Sequence, residues 1–85
     1  MFTWEFTPEA TRDFKKLAPE IQKRIVKKLD YFASSGIPLK FAERLVDYEI
    51  GEYRFRIGDY RVIFDMEEET IVVLTLGHRK DIYKG

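Results

Sequence analysis

Gly51-Glu52-Tyr53-Arg54-Phe55-Arg56-Ile57-Gly58-Asp59-Tyr60-Arg61-Val62-Ile63-Phe64 is the stretch on which the fold turns. Tyr53, Phe55 and Ile57 alternate with Arg54 and Arg56, the period of two shown by a strand with one buried face. Gly58-Asp59 supplies a turn, and Tyr60 to Phe64 returns as the second strand of a hairpin. A further turn is expected at Glu67, Glu68 and Glu69. The nearly unbroken apolar run Ile71-Val72-Val73-Leu74-Thr75-Leu76 then predicts a central strand covered on both faces. Gly77 is expected to end that strand, leaving His78 to Gly85 as a polar tail.

Upstream, Phe2, Trp4 and Phe6 alternate with Thr3, Glu5 and Thr7, which predicts another half-buried strand. Thr7-Pro8 stops it: Thr is a good helix N-cap, Pro suits the first helical position, and Glu9 complements the positive helix start. A short helix should run to about Leu17, with Ala10, Phe14 and Leu17 inward. Ala18-Pro19 breaks it and opens a longer one, in which Ile21, Ile25, Leu29 and Phe32 form the apolar stripe. Gly36 provides a left-handed stop, with Pro38 after it. Residues 37 to 50 carry only weak signals, a helical turn around Phe41 to Leu45 and a short strand near Val46 to Ile50. The order is strand, two-helix hairpin, then a three-strand antiparallel meander: an α+β domain over residues 1–85 with its helices on one face of the sheet.

With 85 residues, only one core can form, and 45% hydrophobic residues with seven Phe, five Tyr and one Trp suffice to fill it. The absence of Cys excludes disulfides, thiol nucleophiles and Cys-type zinc sites and fits a reducing interior. No apolar stretch is long enough to cross a bilayer and the first residues do not resemble a secretory leader, so a soluble cytoplasmic protein is expected. The fifteen basic and fifteen acidic residues cancel, which by itself argues against a nucleic-acid binder. Their distribution says otherwise. Arg12, Lys15, Lys16, Lys23, Arg24, Lys27 and Lys28 face only Asp13 and Glu20 in their segment, whereas Glu43, Asp47, Glu49 and Glu52 crowd one later stretch and Asp65, Glu67, Glu68 and Glu69 another.

If helices cover one sheet face, the arginines must take the other. Arg54, Arg56 and Arg61 should therefore project together, with Arg79 just past the central strand and close by. Guanidinium forks match phosphate oxygens, so such a cluster suits phosphate binding, and Tyr83 adds an aromatic able to stack on a base. The plainer reading is a solvated sheet face whose arginines pair with nearby acids such as Asp59 or Glu52.

The hairpin sequence at residues 51–64, the hydrophobic strand and the tail Gly77-His78-Arg79-Lys80-Asp81-Ile82-Tyr83 together resemble the C-terminal half of RelE-type toxins of the RelE/ParE superfamily. That resemblance implies a toxin of a type II toxin–antitoxin system, silenced by a cognate RelB-like antitoxin that wraps around it. It implies a metal-independent endoribonuclease that enters the ribosomal A site and cleaves mRNA there, with no cofactor. The ribose 2′-hydroxyl would attack the adjacent phosphate and leave a cyclic phosphate and a 5′-hydroxyl. By position, Arg61 would neutralise the transition-state phosphate, Arg79 would assist the leaving group and Tyr83 would stack on or orient a base. Arg54 and Arg56 stand where the family often has lysine. Arginine, with a pKa above about 12, is a poor base; Arg56 is therefore expected to act electrostatically, with the proton acceptor elsewhere.

Further candidates keep two readings each. His78 is of the one side-chain type here whose unperturbed pKa lies near neutrality, which suits an acid or base, but a strand-end His satisfied by backbone is the plainer reading. Tyr83 fits base stacking or packing on the sheet edge. Lys16, Lys23, Arg24, Lys27 and Lys28 suit contact with ribosomal RNA or an ordinary solvated helix face. Two rival functions also stand: a ParE-like poison of DNA gyrase, and a weakened family member that only binds antitoxin or RNA.

Overall fold

The computed structural model describes residues 1–46 and 50–82. Strand β1 (Thr3–Phe6) leads into helix α1 (Pro8–Lys15) and helix α2 (Pro19–Ser34). A single 3-10 turn (Pro38–Phe41) and strand β2 (Ala42–Arg44) follow, then β3 (Tyr53–Ile57), β4 (Tyr60–Glu67), β5 (Thr70–His78) and the four-residue helix α3 (Arg79–Ile82). The strands make one sheet in the order β1-β5-β4-β3-β2, antiparallel except for the β1–β5 pair. The expected α+β architecture is present, with a fourth antiparallel strand added at the far edge of the meander.

Local chemistry explains the element boundaries. The Thr7 hydroxyl accepts from the Ala10 N–H at 3.1 Å, satisfying one of the four unpaired donors at the start of α1, and Pro8 takes the first helical position. At the other end, the Gln22 side-chain amide donates to the carbonyls of Phe14 and Leu17, so a residue of α2 closes the end of α1. Gly36 adopts φ +78 after α2, and Gly58 adopts φ +60 in the β3–β4 turn, both as a left-handed backbone requires. The weak region resolves into the 3-10 turn and β2, one step earlier than the expected helical turn and strand. Residues 47–49 of that expected strand lie outside the described residues.

Packing fixes the layers. Ala10, Ile25, Leu29, Phe32 and Ala33 from the helices meet Phe55, Ile57, Val62, Phe64, Ile71, Val73 and Leu76 from the sheet in one cluster. Phe32, Phe55 and Phe64 stack in series with centroids 4.3 Å apart at each step. Trp4 joins β1 to α2 through its indole N–H, which donates to Asp30 at 2.8 Å. On the opposite face, Ile63 is fully buried as well. A Cβ on Gly51, whose φ is +147, would lie 2.6 Å from Ile63 Cγ2 and 3.1 Å from Leu74 Cδ1, so the backbone itself covers these side chains.

Two expectations are corrected. Gly77 does not end β5: it pairs with Arg61 inside the β4–β5 ladder, and the strand runs on to His78 opposite Tyr60. The residues after it are not simply a polar tail, because Arg79 to Ile82 form a helical turn. Between these points lies an irregularity. Ile63 pairs with Thr75 and Phe64 with Val73, leaving Leu74 as an extra residue, a β-bulge. The Leu74 carbonyl accepts from the Thr7 hydroxyl at 3.2 Å, so the bulge is tied to the start of α1.

Candidate functional site

The bulge resets the phase of β5, and that decides which side chains share a face. Beyond it Leu76 points into the core, so Gly77 falls on the open face and His78 on the helix side with its partner Tyr60. On β3 and β4 the period of two holds, placing Arg54, Arg56 and Arg61 on the open face, with Arg56 and Arg61 directly opposite one another in register. β2 extends this face, since Glu43 pairs in register with Arg54. Three arginines and one glutamate thus occupy three adjacent strands.

The arginines are not equivalent. Arg54 engages Glu43 with two prongs, Nε donating to Oε1 at 3.2 Å and Nη2 to Oε2 at 3.4 Å. Arg56 lies 3.8 Å from the same carboxylate and its side chain is 60% exposed. Arg61 is only 6% exposed, and its Nη1 donates to the carbonyls of Gly58 and Tyr60, both at 2.9 Å. Its guanidinium is therefore fixed against the hairpin turn rather than swinging in solvent. The Glu43 carboxyl is held below the ordinary glutamate range, first by the Arg54 hydrogen bond and then by the positive charges of Arg54, Arg56 and Arg61, with partial desolvation opposing.

Arg79 reaches the same hairpin turn from the start of α3. Its backbone N–H donates to the Asp59 carbonyl at 2.7 Å, and its Nε lies 3.8 Å from the Asp59 carboxylate. Arg61 and Arg79 consequently both contact one turn, Gly58-Asp59, from β4 and from the start of α3. A Cβ built on Gly58 would meet Arg24 Nη1 at 3.5 Å, so α2 brings a further guanidinium to this tip. The expected pairing of arginines with acids is present, but with Glu43 and Asp59 rather than Glu52. The backbone N–H of Glu52 instead donates to the Asp65 carboxylate at 2.8 Å.

His78 is separated from Arg54, Arg56 and Arg61 by the sheet. Its ring stands edge-on to Tyr60 at 5.4 Å, and its Nδ1 accepts the backbone N–H of Lys80 at 3.1 Å. Lys16, Lys23, Arg24, Lys27 and Lys28 are all exposed on the helix layer, away from the open sheet face. Of these, Arg24 approaches the hairpin tip. Tyr83 lies outside the described residues. Among the described residues, a cleft beside the bulge is lined by Glu9, Ile50, Leu74, Thr75, Asp81 and Ile82, two acids and no base. Glu43 is the member of the site that pattern reading did not single out. It belongs to a three-residue strand too short to show a period, and only the pairing of β2 with β3 brings it to Arg54.

The model for the ParE toxin of the type II toxin–antitoxin system parDE matches residues 4–83, nearly the whole chain. The chain belongs to the RelE/ParE toxin superfamily. Among curated relatives, Toxin RelG of Mycobacterium tuberculosis (strain ATCC 25618 / H37Rv) is 34% identical over 85 residues, covering 98% of this toxin and 97% of the relative. Among solved structures, a chain of the toxin–antitoxin complex RelBE2 from Mycobacterium tuberculosis superposes with a TM-score of 0.80 at 31% identity, covering 92% of this toxin and 98% of that chain. A chain of the RelB–RelE antitoxin–toxin complex from Methanococcus jannaschii gives 0.71 at 26% identity, covering 92% and 93%. The toxin thus shares its fold with chains from a bacterium and an archaeon, and among its described residues no helix is long and apolar enough to cross a membrane.

Proposed function

We propose that this toxin is a metal-independent endoribonuclease that cleaves mRNA in the ribosomal A site and is restrained by a RelB-like antitoxin. The observation that carries the reading is the convergence of Arg61 and Arg79 on one β-turn, beside the open face that holds Arg54 and Arg56. Phosphodiester cleavage by the ribose 2′-hydroxyl passes through a pentavalent phosphate with additional negative charge, and fixed positive groups are what stabilise it. Arg61, anchored by two carbonyls, is the most preorganised of the four and is assigned to the non-bridging oxygens. Arg79 is assigned to the developing charge on the 5′-oxygen. Arg56 faces Arg61 and steers the backbone electrostatically, with Arg54 behind it. Tyr83 is assigned to stacking on a base. Lys16, Lys23, Arg24, Lys27 and Lys28 are assigned to the ribosomal RNA.

The partner proposal rests on the two solved relatives, whose structures are complexes of a RelE-type toxin with its antitoxin. A ribosomal target would require the toxin to act in the cytoplasm, the location assigned to it in this reading. The chemistry needs a proton removed from the 2′-hydroxyl and one delivered to the leaving oxygen. His78 is on the wrong side of the sheet for either step in this arrangement, and arginine is a poor base, so solvent or the ribosome-bound RNA is assigned both the acceptor for the 2′-hydroxyl proton and the donor to the 5′-oxygen.

A second reading is favoured by the matching family model itself, which describes the toxin of parDE. In it the toxin poisons DNA gyrase and cuts no RNA. Mapping of mRNA 5′ ends in a purified translation reaction separates the two. Cuts at the A-site codon that disappear with Arg79→Ala support the nuclease. Intact mRNA, with gyrase trapped on DNA in a parallel supercoiling assay, assigns the toxin to the second reading.

A further inference from the structure

Glu43 makes a two-pronged carboxylate–guanidinium contact with Arg54 on the open face, and its position is informative. It pairs across the strands with Arg54, binds that residue's Nε and Nη2 at 3.2 and 3.4 Å, and stands 3.8 Å from Arg56 Nε. A carboxylate seated on a guanidinium fork offers two oxygens in the plane of the fork, the same arrangement two phosphate oxygens adopt. The carboxylate is 45% exposed, the arginines 27% and 60%, so solvent and ions reach the contact. β2 is three residues long and lies at the sheet edge, bonded on one side only.

We propose that Glu43 is a built-in competitor for the phosphate site: it occupies the Arg54–Arg56 pair until a nucleic-acid phosphate displaces it. This rests on the reading of the open face as a phosphodiester site and specifies how that site is filled. Two physical arguments favour a competitor over a proton acceptor. A carboxylate surrounded by Arg54, Arg56 and Arg61 stays ionised and holds a proton less well than an ordinary glutamate, which suits an anion that mimics phosphate and weakens a base. An exposed ion pair also contributes little net stability, so exchange of one anion for another is cheap. Glu43 in this role tunes affinity, keeping the toxin from holding any stray anion tightly while leaving the guanidiniums oriented.

The test is Glu43→Gln in the full chain, with Glu43→Asp as a second variant that keeps the charge and shortens the reach. Inorganic phosphate is titrated at neutral pH while the arginine Nε–H resonances are followed by NMR. A far-UV circular dichroism melt confirms that each variant is folded. The competitor predicts tighter phosphate binding by Glu43→Gln, on the order of fivefold, the upper range for loss of one exposed charge pair. A single-stranded RNA oligonucleotide should show the same gain, with a log–log salt slope steeper by about 0.7 for one more neutralised phosphate. Unchanged or weaker phosphate binding by folded Glu43→Gln overturns the proposal and makes Glu43 a positioning residue instead. If Glu43→Gln gains phosphate affinity but the wild-type toxin cleaves no mRNA, the competitor stands and the nuclease reading falls.

Discussion

Replacing Arg61 with alanine tests function and structure at once, and the structure separates the two effects. Arg61 Nη1 donates to the Gly58 and Tyr60 carbonyls at 2.9 Å, and the residue is only 6% exposed. Hydrogen bonds from a charged donor contribute about 1.5–3 kcal/mol each when a partner is truly buried. Both acceptors lie at an exposed turn where water replaces the lost donor, so a combined loss of about 2 kcal/mol is expected. For a domain of this size that corresponds to a fall in Tm on the order of 10 °C. Starting from a stability of about 5 kcal/mol, the low end for small domains, roughly 3 kcal/mol would remain and about 99% of the variant would still be folded at 25 °C.

The catalytic loss is larger. Removing one fixed donor from a developing oxyanion typically costs about 10²–10³ in rate. Cleavage at 25 °C should therefore fall far more than the folded fraction does. Arg61→Lys keeps a charge but loses the fork, and is expected to recover one carbonyl bond and part of the Tm without restoring cleavage. The assays are a thermal melt by circular dichroism and A-site cleavage in a purified translation reaction. An unchanged Tm would refute the anchoring of Arg61 on the turn. Wild-type cleavage by folded Arg61→Ala would refute its place at the phosphate.

Gly51→Ala should destabilise the fold by about 1–3 kcal/mol in a denaturant titration, because the added methyl overlaps Ile63 Cγ2 at 2.6 Å and the backbone holds φ +147. Phe55→Ala removes the middle ring of the Phe32–Phe55–Phe64 stack and should cost about 3–5 kcal/mol, enough to leave little folded protein at 37 °C in the same titration. Because the Glu43 carboxyl is held below its ordinary range, its ion pairs persist through neutral and mildly acidic pH and are lost as pH falls through that lowered value. Sulfate should consequently bind the wild type more tightly as pH falls through that lowered value and bind Glu43→Gln with no such rise; parallel curves would remove the competitor. Joint Lys23→Ala and Lys27→Ala substitution should lower ribosome affinity and flatten its salt dependence by about two counterions without changing the Tm, and an unaltered slope would return those lysines to a solvated face.

Much of the fold was legible in short patterns because those patterns are local physics. The alternation of Tyr53, Phe55 and Ile57 with Arg54 and Arg56 records a strand with one buried face. Thr7-Pro8 and Gly36 record helix ends that need a cap and a left-handed residue. The two-residue turn at Gly58-Asp59 even sets Arg56 opposite Arg61, since a turn of fixed length fixes its register.

What the chain alone could not reveal depends on partners distant in sequence. Nothing within Thr3–Phe6 names β5 as its parallel neighbour, and nothing within Ala42–Arg44 shows that Glu43 will face Arg54. The placement of His78 is the sharpest case. Ile71 to Leu76 is apolar in both phases, so one extra residue at Leu74 leaves no trace in the pattern, yet it moves every later side chain to the other face. Only the pairing of Ile63 with Thr75 and Phe64 with Val73, with the Thr7 hydroxyl holding the Leu74 carbonyl, sends His78 to the helix side and sets Gly77 beside Arg61.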